Sequence, residues 1–141
     1  MPIAGVYLRQ NGTMTEFVAI TRHVVTDLSG WLPSAREAIA PLLAQTGCRG
    51  GDICAAIDDP QLMAVITRWD SVGAYRRAFS AYEVKATSIP FLSTAIDEPS
   101  AYEVLHHNGP DGIADFDSAR AADADTIRLR DAAAGDVPPR G

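Results

Sequence analysis

The sequence has few of the residues that mark the commonest cofactor and metal sites. Two cysteines stand among 141 residues, and they form no Cys-x-x-Cys pair, so neither a disulfide framework nor a structural zinc site is indicated. The thiols of Cys48 and Cys54 are typical of a reducing, cytoplasmic location. The chain also lacks a His-x-x-His pair, a glycine-rich nucleotide loop and a Gly-x-Ser-x-Gly turn. We therefore expect neither a metal nor an organic cofactor.

Long apolar runs and positive charge are also scarce. No uncharged apolar run approaches the roughly 18 residues that cross a bilayer, and the N-terminus lacks a basic start, so neither a membrane span nor an export signal is expected. Lys85 is the only lysine, and 12 basic residues stand against 18 acidic ones, giving a formal charge of −6. This balance argues against a nucleic-acid partner and against docking on an anionic membrane.

What is present has the composition of one folded domain followed by a polar tail. The chain is 47% hydrophobic and 21% charged, which is typical of a single globular domain. Residues 106–141, in contrast, hold seven Asp and four Arg and few large apolar side chains, which indicates a tail. Within it, residues 118–134 predict a loosely held helix, with Ser118 as its N-cap and Gly135 at its end.

The first part of the chain predicts an arm and a buried strand. Asn11-Gly12 is a common tight-turn signal and predicts an N-terminal hairpin arm within residues 1–15. Residues 17–25 alternate in the manner of a β-strand, but both of the resulting faces are largely apolar. We therefore expect both faces of this strand to be covered.

Three more strands follow later in the sequence. Residues 47–52 read as a loop, and residues 53–58 and 62–69 predict two strands whose short turn implies antiparallel pairing. Residues 101–106 predict the last strand. In the third strand, one face carries Met63, Val65, Thr67 and Trp69.

Two amphipathic helices alternate with these strands. Apolar residues recur at helical spacing over residues 31–43, where Ser34 and Glu37 after Pro33 predict the start and Gly47 the stop. Ser71 then predicts the N-cap of a second helix, which Pro90 limits. The apolar stripe of that helix consists of Val72, Tyr75, Phe79 and Tyr82.

The order of these elements predicts an α+β fold of the ferredoxin-like βαββαβ type. Both helices lie on one side of an antiparallel sheet in this plan. A lone sheet of this kind would leave its other face in water, so a second copy of the chain is the expected cover.

One segment resembles a known family. Residues 68–75 read Arg-Trp-Asp-Ser-Val-Gly-Ala-Tyr and resemble the Trp-x-Ser-x-x-Ala-aromatic signature of antibiotic biosynthesis monooxygenase domains. Pro90 and residues 102–105 fall where that family has its last connector and strand. The resemblance covers about residues 16–105, within a domain placed at residues 1–105. It implies a dimeric α/β barrel in which each subunit keeps a ligand cavity between its sheet and its helices.

The resemblance also implies an activity. Many members of that family oxidise aromatic polyketide intermediates with dioxygen and without metal or flavin, because a deprotonated phenolic substrate can itself supply an electron. We expect a cytoplasmic homodimer that oxidises a phenolic polyketide-type substrate with dioxygen.

Three residues are the candidates for catalysis. Trp69 and Tyr75 match the family motif, Trp69 as an orienting N–H donor and Tyr75 as a proton relay, while His23 is the candidate base because its ordinary pKa lies near neutrality. Core packing is the alternative for Trp69 and Tyr75, and exposure at a strand end is the alternative for His23. The residues expected to line the substrate site are Phe17, Thr21, Met63, Val65, Thr67 and Phe79.

Two positions depart from the family pattern. Val65 stands where quinone-forming members have an asparagine, and Phe79 stands where haem-degrading relatives have a histidine. The departures disfavour haem degradation and keep two alternatives open for the same fold: a polyketide cyclase or isomerase, and a non-catalytic barrel that binds a small ligand.

Overall fold

The computed structural model describes residues 16–118. None of the helices in this range is long and apolar enough to cross a membrane. The elements are, in chain order, β1 (Phe17–Val24), α1 (Leu28–Leu43), β2 (Cys48–Ala55), β3 (Leu62–Trp69), α2 (Val72–Ala78), a π-helical turn (Val84–Ser88), α3 (Ile89–Leu92), β4 (Ala101–Glu103), β5 (His106–Gly109) and β6 (Gly112–Asp115).

The predicted α+β, ferredoxin-like plan is confirmed. The four strands of the main sheet stand in the order β2-β3-β1-β4, and every neighbouring pair is antiparallel. The helical elements bury one face of this sheet, and the largest fully buried apolar side chains there are Trp69, Leu42 and Val84. Burying each such side chain contributes roughly 1.5–3 kcal/mol to folding.

The other face of the sheet, which we call the open face, is only partly covered within the described chain. Val18, Ile20 and Ile66 are half-buried there, and Val24 remains 64% exposed. Residues 16–118 therefore cover one face of β1 fully, whereas we expected both faces to be covered.

Helix α1 begins earlier than predicted. Its N-cap is Asp27, whose carboxylate accepts a hydrogen bond from the Gly30 N–H at 3.3 Å, whereas Ser34 lies inside the helix and donates to the Gly30 carbonyl at 3.4 Å. Pro33 also lies inside the helix, so the predicted start at this proline was wrong. The Asp27 carboxylate satisfies one free N–H group of the first turn, and the cap lies seven positions, about two turns, before the predicted Ser34.

Strand β2 replaces most of the loop predicted for residues 47–52. It begins at Cys48 and pairs with β3 along its length, with a bulge between Cys48 and Gly50. Gly50 has a φ of 125°, and a Cβ on Gly51 would lie 2.8 Å from the Ile66 carbonyl oxygen. Glycines thus permit the bulge and the close approach, which is why a loop-like composition forms a strand here.

Helix α2 has the predicted N-cap and an earlier end. The Ser71 hydroxyl accepts from the Ala74 N–H at 3.1 Å, which confirms the cap. The helix ends at Ala78, and Tyr82, predicted for its apolar stripe, is 79% exposed. The chain then resumes as the π-helical turn and α3, where Pro90 occupies the first turn and loses no intrahelical bond.

The last predicted strand is shorter than expected, and a hairpin follows it. Strand β4 ends at Glu103, and β5 and β6 form a separate antiparallel pair in the first part of the segment predicted as a tail. Ala114 and Phe116 are buried against Val104, which fixes the hairpin on the domain. The turn signal in Gly109-Pro110-Asp111-Gly112 could have indicated it. The predicted N-terminal arm and the helix predicted after Ser118 lie outside the described residues.

Candidate functional site

The strand residues predicted for the site all lie on the helix-facing side of the sheet. The β1–β3 register pairs Phe17 with Trp69 at one end and His23 with Met63 at the other. Because side chains alternate along a strand, Thr21, Val65 and Thr67 share this face, as predicted. The structure then divides the predicted residues between the two ends of this face.

The first end carries an aromatic group that we call the Trp69 cluster, made of Phe17, Trp69, Tyr75 and Phe79. The Tyr75 ring lies 4.8 Å from Phe17, 5.4 Å from Trp69 and 4.8 Å from Phe79, measured between ring centroids. Trp69 is fully buried, and its indole N–H donates to Thr67 Oγ1 at 2.8 Å. Tyr75 is half-buried, and this burial raises the pKa of its phenol.

The other end carries the His23 cluster, made of His23, Trp31 and Phe91. The imidazole is 2% exposed, and its ring centroid lies 5.5 Å from Trp31 and 5.0 Å from Phe91. Nε2 is 2.9 Å from Thr21 Oγ1, whereas the buried Nδ1 has no hydrogen-bond partner among residues 16–118. Burial lowers the pKa of His23, so the ring is neutral at pH 7.

The two clusters cannot serve one small molecule together. Six residues of β3 separate the position opposite His23 from Trp69, which corresponds to about 20 Å along an extended strand. Thr21, Met63 and Val65 lie toward the His23 end, while Phe17, Thr67 and Phe79 lie toward the Trp69 end. The structure therefore brings Trp69 and Tyr75 together, as predicted, but places His23 apart from them.

A cleft opens beside the His23 cluster, because β4 pairs only with the first three residues of β1. The connector before β4 returns to β1 through two backbone bonds: Ile20 N–H donates to the Ser100 carbonyl at 2.7 Å, and Ile96 N–H donates to that of Arg22 at 2.8 Å. The connector and β1 enclose about 280 Å³. The cleft is lined by Thr21, Leu92, Ser93, Ala95, Ile96, Asp97, Glu98 and Ser100.

Two carboxylates give this cleft its charge. Glu98 receives two hydrogen bonds from the Arg22 guanidinium, each 2.6 Å long, and this pairing holds the pKa of Glu98 below its ordinary value. Asp97 is exposed and makes no hydrogen bond or ion pair with any other described residue. The lining thus exposes more polar than apolar surface, and within residues 16–118 its unpaired negative charge is that of Asp97.

Thr21 connects the cleft to the buried imidazole. Its side chain lines the cleft, and its hydroxyl reaches Nε2 of His23, so a proton can pass between a molecule in the cleft and the imidazole through one hydroxyl. Sequence reasoning identified Thr21 and His23 but missed Phe91, and it assigned Trp31 only to a helix stripe. The sequence holds no local signal that joins them, since 60 positions separate Trp31 from Phe91.

The described residues were also searched for side chains that could bind a metal ion or form a disulfide. Among the described residues, no group of three or more His, Cys, Asp or Glu side chains is placed to hold a metal ion. The free thiols of Cys48 and Cys54 lie six positions apart in one strand, about 20 Å from one another, and cannot form a bridge.

Comparison with solved structures establishes the fold. SnoaB, a cofactor-independent oxygenase from Streptomyces nogalater, has a TM-score of 0.55 at 14% identity over 68% of this chain and 97% of its own. A conserved protein from Methanosarcina mazei Go1 has a TM-score of 0.52 at 15% identity, over 64% of this chain and 92% of its own. Rv0793 from Mycobacterium tuberculosis has the same score and identity, over 67% and 98%. No protein-family model and no curated protein matches the sequence.

Proposed function

We propose that the chain is a cofactor-independent monooxygenase that oxidises a phenolic aromatic compound of the polyketide type with dioxygen. The observation that carries this proposal is that Thr21 lines the cleft while its hydroxyl oxygen lies 2.9 Å from Nε2 of the buried His23. In this proposal the phenol binds beside Thr21, and His23 acts as the base. The sequence resemblance at residues 68–75 and the fold shared with the oxygenase SnoaB support the assignment.

The proposed reaction begins with proton transfer. The substrate phenol gives its proton to Thr21 Oγ1 while the Thr21 hydroxyl gives its own to Nε2 of His23. The lowered pKa keeps the imidazole neutral and able to accept this proton at pH 7, and it also makes the resulting imidazolium a ready donor. The apolar rings of Trp31 and Phe91 exclude water from the imidazole.

Oxidation then follows from the substrate's own electrons. The phenolate transfers one electron to dioxygen, and the resulting superoxide and phenoxyl radical join to form a carbon–oxygen bond. The peroxide anion takes the proton back from His23. Loss of water, which removes the hydrogen on that carbon and breaks the oxygen–oxygen bond, leaves a quinone carbonyl. One dioxygen is consumed, one oxygen atom enters the substrate, and one water is released.

The size of the cleft limits what enters it. About 280 Å³ lies just below the usual range for pockets that enclose drug-sized ligands. We therefore propose that the reacting ring enters the cleft and that further rings of a larger substrate lie outside it.

We further propose that two copies of the chain pair through the open face. Half-buried Val18, Ile20 and Ile66 form a continuous apolar strip there, and pairing would remove it from water. A cytoplasmic location is proposed as well, and the two free thiols support it.

Oxygen consumption tests the proposed function. Purified protein is given an anthrone or a hydroquinone, and uptake is followed with an oxygen electrode against the spontaneous rate. We expect uptake equal to the quinone formed, and its loss in Thr21→Val protein. Uptake no faster than the spontaneous rate across several one- to three-ring phenols would overturn the proposal.

A cyclase or isomerase is the second candidate function. The proton path from Thr21 to His23 can serve general acid–base catalysis without any oxidant. The same substrates, incubated in anaerobic buffer, separate the two functions. Product formation that continues without oxygen favours the second candidate, and product formation that stops favours the oxygenase.

A further inference from the structure

We infer that the molecule recognised by the cleft carries a protonated amine, which Asp97 binds at the rim. This inference rests on the proposed function, because it concerns the same cleft, and it adds the charge of the ligand. The phenolic ring would lie toward Thr21, and the amine would lie toward the connector that precedes β4.

The charge balance of the lining is the first argument. Among residues 16–118, the ionisable residues of the lining are Asp97 and Glu98, and no Lys, Arg or His belongs to it. The guanidinium of Arg22, on β1, donates two hydrogen bonds to Glu98 and neutralises the charge of that carboxylate. Asp97 has no such partner within residues 16–118. A net negative charge therefore remains at the cleft and favours a cation over a carboxylate.

The hydrogen-bonding character of the rim is the second argument. Ser93 donates its hydroxyl proton to the Pro90 carbonyl at 2.7 Å, so its oxygen is left as an acceptor. The Asp97 carboxylate is also an acceptor, and Ser100 adds a hydroxyl to the lining. An ammonium group offers three N–H donors and no acceptor, which complements a rim of this kind.

The interior supplies an independent reason to expect a ligand. Leu92, Ala95 and Ile96 line the cleft, and the hydroxyl of Thr21 lies beside a histidine that is 98% buried and whose Nδ1 has no hydrogen-bond partner among residues 16–118. A buried polar atom without a hydrogen-bond partner costs free energy. Asp97 thus belongs to a cleft from which one residue, Thr21, reaches a buried imidazole.

Three small phenols of matched shape provide the probe. Tyramine carries a protonated amine, para-propylphenol is its neutral isostere, and para-hydroxyphenylpropionate carries a carboxylate. Calorimetric titration of the full chain at low ionic strength should show tyramine binding roughly three- to fivefold tighter than para-propylphenol, as for one exposed ion pair. The propionate should bind most weakly, and added salt should reduce the differences.

Two variants assign the preference to one carboxylate. Asp97→Asn should remove the preference for tyramine while leaving the affinity for para-propylphenol unchanged. Asp58→Asn makes the same change of net charge at the exposed β2–β3 turn, outside the cleft, and should keep the preference. The unfolding midpoint of each variant confirms that both fold as the parent chain does.

Several outcomes would overturn the inference. Equal affinities for the three phenols, tighter binding of the propionate, no binding of any of them, or a preference that survives Asp97→Asn would each do so. Oxygen uptake is measured separately, so the failure of the two proposals can be told apart. A tyramine preference without oxygen uptake keeps the binding site and removes the oxygenase, whereas uptake without the preference removes only the amine.

Discussion

Thr21 Oγ1 lies 2.9 Å from Nε2 of His23, and the two residues differ in their access to solvent: half-buried Thr21 lines a cleft, whereas His23 is buried against two aromatic rings. This pairing follows from strand geometry, since residues two apart on one strand share a face. It gives a molecule in the cleft indirect access to an imidazole that solvent does not reach.

Replacing the imidazole should abolish most of the activity. We expect His23→Gln to lower kcat/KM for a phenolic substrate on the order of 100-fold, because general-base catalysis contributes at least that much. Oxygen uptake under saturating oxygen is the measurement. His107→Gln, in the β5–β6 hairpin, is the matched control and should retain full activity. Activity that falls equally in both variants, or in neither, contradicts the assigned base.

Removing the hydroxyl of Thr21 should have two effects. Thr21→Val keeps the shape of the side chain but breaks the proton path, so we expect a fall of at least about tenfold in kcat. It also leaves Nε2 of His23 without its partner, which should lower the free energy of unfolding by about 1–3 kcal/mol.

Thr21→Ser is the rescue variant for this test, because it restores the hydroxyl. Steady-state kinetics and urea unfolding measure the two effects. If Thr21→Ser is as inactive as Thr21→Val, the methyl group rather than the hydroxyl matters, and the proton path is refuted.

Stability should depend on the protonation of His23. Its folded pKa lies below the ordinary value of 6.5, so the unfolded chain binds the proton more tightly than the folded chain does. The free energy of unfolding should therefore fall as the pH drops through 6.5, and the loss should level off below the lowered folded pKa.

Urea unfolding at pH 8, 6.5 and 5 measures this effect. In His23→Gln protein, part of the decrease between pH 6.5 and pH 5 should be absent. His107→Gln again serves as the control and should leave the contribution of His23 in place. If the His23 variant has the same pH profile of stability as the parent chain, the lowered pKa of the buried ring is contradicted.

The Trp69 cluster provides a test of where the site lies. If the substrate binds beside Thr21, Tyr75→Phe should change kcat by less than about twofold, because about 20 Å separates the two clusters. Trp69→Phe should lower the free energy of unfolding by about 1–3 kcal/mol, because it opens space in the core and removes the bond to Thr67.

The opposite result for Tyr75 would move the site. A loss of activity on the order of 100-fold in Tyr75→Phe, with an unchanged unfolding midpoint, would place the chemistry at the Trp69 cluster. That outcome would agree with the role that the sequence resemblance implies for this tyrosine.

The open face should determine the oligomeric state. We expect the parent chain to be a dimer in light scattering coupled to gel filtration. Ile66→Asp places a charge in the centre of the apolar strip and should yield monomers. Ile57→Asp is the matched control, since that isoleucine is fully exposed after β2 and should leave the dimer intact. A monomeric parent chain would contradict the proposed pairing.

The order of the elements and the helix-facing side of the sheet can be predicted from the amino-acid sequence. The Ser71 cap and the alternation from Met63 to Trp69 depend on residues a few positions apart, and local hydrogen bonding and side-chain period decide them. The start of β2 was not predicted, because its glycines resemble a loop and give no apolar period. The N-cap of α1 was predicted at the wrong residue, because Asp27 also lies outside any apolar period.

The arrangement of the candidate site depends on contacts between distant parts of the chain. Thr21 and Asp97 line one cleft because β4 pairs with only three residues of β1, although 76 positions of chain separate the two residues. The register of β1 on β3 places His23 and Trp69 at opposite ends of one face. Whether residues far apart in the sequence come close depends on which strands pair and where their pairing ends. No local sequence pattern contains that information.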